Sequence, residues 1–114
     1  MIFSVEHSAN YHLITSYVEK LNGISAPELK IEVLKLEEMQ VVNVIIDLSQ
    51  TLYCDSTGLN TILYCYRMCK DNNGKFIICN LQPNVKKLIE ISQLHRILTI
   101  TETCKEAEML MDQA

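Results

Sequence analysis

The feature that most constrains this chain is the change of hydrophobic period between Val41 and Gly58. Val41, Val42, Val44, Ile45, Ile46 and Leu48 make a dense β-branched run that reads as a strand buried on both faces. Beyond Asp55-Ser56-Thr57-Gly58, the apolar residues Leu59, Ile62, Leu63 and Tyr66 recur at helical spacing. A strand-to-helix turn sets hydroxyls and backbone N–H groups at a helix N-terminus, where the macrodipole favours negative charge. Such a place suits a phosphate, and Ser56 is positioned to carry one. The same residues also have a plainer reading. Asp, Ser and Thr are the preferred N-caps, and a cap contributes roughly 1 kcal/mol.

The rest of the chain organises around this step. Residues 1–7 and 11–18 read as two strands joined by the polar turn Ser8-Ala9-Asn10. Asn22-Gly23 breaks the second strand. Ser25 and Glu28 predict a capping box, with Pro27 in the first turn of a helix that buries Leu29, Val33 and Leu36. Gly74 is expected to terminate the helix begun after Ser56. Residues 75–81 read as the fourth strand, and Pro83 opens a short helix with Val85, Leu88 and Ile89 inward. Residues 96–101 give a fifth strand, and a second capping box at Thr103 and Glu106 starts the last helix, with Ala107, Leu110 and Met111 inward. This predicts an α/β domain of order ββαβαβαβα over residues 1–114. Its mixed sheet has four to five strands, covered mainly on one face by about four helices.

Composition narrows the function classes. A chain of 114 residues buries a core without staples, and its net charge of −4 offers no basic stripe for nucleic acid. The start at Met1-Ile2-Phe3 lacks the basic and apolar regions of a signal peptide, and every apolar run is strand-length. A cytoplasmic protein without membrane insertion is expected. The five cysteines Cys54, Cys65, Cys69, Cys79 and Cys104 show no zinc-like spacing, so neither metal nor redox role is assigned. His7, His12 and His95 have no adjacent nucleophile or carboxylate pair, and three glycines leave no phosphate-binding loop. No enzyme activity and no cofactor are expected. Among the tyrosines, Tyr53 and Tyr64 are the best candidates for surface anchors.

The element order, Ile45-Ile46-Asp47-Leu48-Ser49, Asp55-Ser56-Thr57-Gly58-Leu59 and residues 80–88 (Asn-Leu-Gln-Pro-Asn-Val-Lys-Lys-Leu) resemble a STAS domain. More narrowly, the chain is similar to free-standing bacterial anti-sigma factor antagonists. The resemblance implies binding to an anti-sigma factor that is also a GHKL-type serine kinase, which releases the sigma factor. It further implies phosphorylation of Ser56, dissociation, and reset by a PP2C-type phosphatase. Asp55 would then orient the turn, and Thr57 and Gly58 would begin the partner-facing helix. Two positions depart from the pattern. Asn22, in Glu19-Lys20-Leu21-Asn22, replaces a common Asp, and Asn60 stands where a small Gly is common. Both are therefore counted among the partner-binding positions. The alternative implied by the same resemblance is a constitutive subunit of a stressosome-like scaffold or a lipid-transport ATPase complex.

Overall fold

A computed structural model describes residues 2–113. The strands are β1 (Phe3–His7), β2 (His12–Ser16), β3 (Lys20–Leu21), β4 (Val44–Asp47), β5 (Tyr53–Cys54), β6 (Phe76–Cys79) and β7 (Thr99–Thr101). The helices are α1 (Ala26–Glu38), α2 (Ser56–Asp71), α3 (Pro83–Ile91) and α4 (Cys104–Asp112), with a 3₁₀ turn at Leu94–Arg96. Five strands form one sheet in the order β1-β2-β4-β6-β7, while β3 and β5 pair separately. Within the large sheet β1 and β2 are antiparallel, and the remaining pairings are parallel.

Strand alternation divides the core into two layers. Ile14, Val44, Ile46 and Ile78 face a large cluster with Leu29 and Val33 of α1, Ile62 of α2 and Ile89 of α3. Leu13, Ile45, Ile77 and Cys79 face the other way, against Ala107 and Met111 of α4. Three helices thus cover one face and one covers the other. The central strand β4 is apolar from Val44 to Ile46, residues buried from both sides, and ends on Asp47.

The order of the long elements agrees with the sequence reading; the differences are the added two-residue strands β3 and β5 and the ends of elements. Residues 41–43 fall outside β4 because Asn43 is used as a clasp. Its side chain accepts the Lys75 N–H at 2.8 Å and donates to the Asn10 carbonyl at 3.1 Å. β7 starts at Thr99 rather than at residue 96, since the 3₁₀ turn intervenes. The capping box expected at Ser25 does not form. Ser25 has helical dihedrals, and its hydroxyl donates instead to the Lys20 carbonyl at 2.7 Å. Asn22 takes over the helix entry, its Oδ1 accepting the N–H groups of Ile24 and Ser25. The box at Thr103 and Glu106 forms in both directions.

Gly74 does not supply the left-handed residue after α2. Asn73 does, at φ 62°, while the Gly74 N–H bonds the Cys69 carbonyl at 2.7 Å. Glycine is required at position 74 for another reason: a Cβ there would collide with the Val42 carbonyl. Around Gly23 the space is open. Gly74→Ala is therefore expected to lower unfolding free energy by about 1–3 kcal/mol. Gly23→Ala should change it by no more than about 0.5 kcal/mol, both read from urea denaturation.

Candidate functional site

The turn into α2 is held by backbone pairing on one side and a buried polar contact on the other. β3 and β5 are two-residue strands in parallel register, Lys20 opposite Tyr53 and Leu21 opposite Cys54. Two residues carry no readable period, so this pairing was invisible in the sequence. The Leu52 and Tyr53 N–H groups both donate to the Glu19 carbonyl, and the Asp55 N–H reaches the Leu21 carbonyl at 3.2 Å. Upstream, Thr51 is fully buried: it donates to the Val18 carbonyl at 2.9 Å and meets the Ser16 hydroxyl at 2.7 Å. A buried hydroxyl pair with both partners satisfied ties the loop after β4 to the end of β2.

Asp55 is the N-cap of α2. Its backbone is extended, its Oδ1 accepts the Gly58 N–H at 3.0 Å, and its carbonyl accepts the Leu59 N–H at 2.9 Å. The capping work therefore falls on Asp55 and leaves Ser56, the first helical residue, with an exposed side chain. No hydrogen bond engages the Ser56 hydroxyl among the described residues, and the first turn of α2 holds no acidic side chain.

The remaining predicted positions separate into surface and support. Thr57 and Asn60 are exposed, with Asn60 one turn along α2 from Ser56. Gly58 is buried beneath that surface rather than on it. A Cβ at Gly58 would strike the Leu21 carbonyl and lie 2.9 Å from Cys54 Sγ, so glycine lets α2 rest directly on β3. Asn22 and Asp55 line one shallow depression of about 230 Å³ with Lys20, Leu21, Tyr53 and Cys54. Tyr53 is 48% exposed beside it, and Ile24, two residues past Asn22, is 88% exposed. Tyr64, the other expected anchor, is instead half-buried and engaged with α1. Its hydroxyl donates to Glu37 at 2.7 Å, and the Lys30 ammonium lies 3.8 Å from its ring centre. The Cys54 thiol is pushed up to about 12 by burial and, secondarily, by the Asp55 carboxylate. Thiolate is the reactive form, so Cys54 is inert near neutral pH.

The STAS domain family model matches residues 3–107. The chain belongs to the STAS domain family. An anti-sigma F factor antagonist of Paenibacillus polymyxa is 28% identical to this STAS domain over 65 residues, spanning 57% of this chain and 56% of that protein. This chain therefore aligns with little more than half the length of that relative. An anti-sigma-factor antagonist (STAS) domain protein from Planctomyces limnophilus superimposes with a TM-score of 0.88 at 18% identity, covering 97% of this chain and 98% of the other. The Bacillus cell fate determinant SpoIIAA in its phosphorylated form gives a TM-score of 0.74 at 19% identity, covering 94% and 96%. At these identities the two structures speak for the fold.

The division of labour at the turn is directly measurable. Asp55→Ala should cost about 1 kcal/mol of stability by chemical denaturation, whereas Ser56→Ala should fall within about 0.5 kcal/mol of the parent. An equal loss in both would make Ser56 part of the cap.

Proposed function

We propose that this STAS domain is an anti-sigma factor antagonist switched by phosphorylation of Ser56. In its unmodified form it binds an anti-sigma factor that doubles as a GHKL-type serine kinase, and the sigma factor is released. Phosphorylation of Ser56 ends the complex, and a PP2C-type phosphatase restores the free hydroxyl. Ser56 carries this reading: it is exposed at the start of α2 while its neighbour Asp55 does the capping. The hydroxyl is thus open to a kinase without dismantling the helix. The relative from Paenibacillus polymyxa supports the reading through its name, as an anti-sigma F factor antagonist.

The physical chemistry of the switch is local. A phosphoserine adds about −1.5 to −2 charges and three acceptor oxygens. At the positive end of the α2 dipole, the domain's own fold tolerates that charge. At a desolvated contact it does not go unopposed, because Asp55 already places a carboxylate beside it. Apolar Ile24 and Tyr53 exposed around Asn22 and Asp55 fit a partner surface that excludes water. A loss of about 2.8 kcal/mol is enough for a hundredfold drop in affinity, so no refolding is needed.

Peptide mass spectrometry of the protein isolated from its native host, beside a Ser56→Ala strain, tests this. A phosphate on Ser56 whose occupancy changes with growth condition is the expected result. The co-purifying anti-sigma partner should bind Ser56→Asp about a hundredfold more weakly than the unmodified protein. Ser56 unmodified in every condition would contradict the switch and leave a constitutive STAS subunit in its place.

A further inference from the structure

On the sheet face covered by α4, the ends of two central strands meet the start of that helix. Asp47 closes β4 and pairs in register with Cys79, the last residue of β6. Cys104 is the first residue of α4. Packing α4 onto the sheet brings one carboxylate oxygen and the two sulfurs within 4.8 Å of one another. Cys79 is fully buried, while Asp47 and Cys104 are half-buried, so the group has one side open to solvent. These residues are far apart in sequence and take no part in the function proposed above.

We infer that Asp47, Cys79 and Cys104 form a binding site for a thiophilic divalent cation of the Zn²⁺ class. Two thiolates and one carboxylate would hold the ion, with water as the fourth ligand.

The donor set fits that class. Sulfur ligands select borderline and soft ions over Mg²⁺ or Ca²⁺, and three protein ligands with an open position is an established zinc arrangement. Zn–S bonds of about 2.3 Å in a tetrahedron put the two sulfurs about 3.8 Å apart, inside the 4.8 Å within which they already lie. The carboxylate is already oriented. Asp47 Oδ1 accepts the Ser49 N–H at 2.9 Å and the Asn80 side-chain amide at 3.2 Å, the kind of outer hydrogen bonding that steadies a metal ligand. Without a cation both cysteines are thiols, raised chiefly by burial. Binding therefore breaks two S–H bonds, forms two metal–sulfur bonds and releases both protons to solvent.

The test is a Co²⁺ titration of the full reduced, metal-free chain, with Co²⁺ standing in spectroscopically for Zn²⁺. The expected result is saturation at one ion per chain, with thiolate-to-cobalt charge transfer, tetrahedral ligand-field bands, and their loss when Zn²⁺ is added. Cys104→Ser and Asp47→Asn should each weaken Co²⁺ binding at least tenfold, while Cys54→Ser binds as the parent does. Asn at position 47 keeps an acceptor for Ser49, and circular dichroism establishes that each variant is folded. Absence of charge transfer at stoichiometric Co²⁺, or a band that survives in folded Cys104→Ser, overturns the site.

Discussion

The hydrogen bond from the Gly58 amide to the Asp55 carboxylate is the contact on which the candidate surface depends. It defines where α2 begins, and hence which hydroxyl is left outside the cap. Two further constraints converge on the same few residues. The Asp55 N–H is held by the Leu21 carbonyl, and Gly58 leaves room for α2 to lie against that same carbonyl. β3, β5 and the start of α2 are therefore tied into one junction. Asn22 belongs to it as well, since its side chain closes the turn into α1 at the rim of the same depression.

A junction fixed this firmly suits a switch that works by charge rather than by movement. The core layer beneath α2 is closed by Leu59, Ile62, Cys65, Met68 and Cys69, so a phosphate on the exposed rim has little leverage over the fold. Its leverage is on whatever docks there. Asn22 makes both backbone hydrogen bonds of the turn without adding a charge next to Asp55. A less acidic rim alters the electrostatic match with a partner while leaving the turn geometry intact.

Much of the fold was legible because long periodic segments dominate it. β4, α2 and α4 each announce themselves through an unbroken pattern or a cap. What escaped was decided by tertiary competition. Ser25 had the spacing of a capping box, yet Asn22 reached the same amides from outside and the Lys20 carbonyl claimed the Ser25 hydroxyl. Gly74 looked like a helix terminator, but its neighbour Asn73 adopts the left-handed conformation and Gly74 answers to a close approach by Val42. The two-residue strands were too short to show a period, and Tyr64 is drawn onto α1 by Glu37 and Lys30. At the candidate site the sequence located the strand-to-helix turn and its cap residues. It did not separate Ser56 from the cap or Gly58 from the surface, since both distinctions depend on packing across β3. The meeting of Asp47, Cys79 and Cys104 was equally hidden, being a product of sheet register and helix docking.

The two faces of the sheet therefore present different chemistry, the proposed phospho-acceptor surface at α2 and a thiol-carboxylate cluster under α4. The central claim concerns the first. Its most direct test is an NMR titration of the isotope-labelled protein with the anti-sigma factor proposed as its partner, before and after phosphorylation of Ser56. Perturbations confined to residues 22–24 and 53–60, and abolished by the phosphate while all other resonances keep their positions, are predicted. Perturbations centred on α4, or unchanged by phosphorylation, would contradict the account.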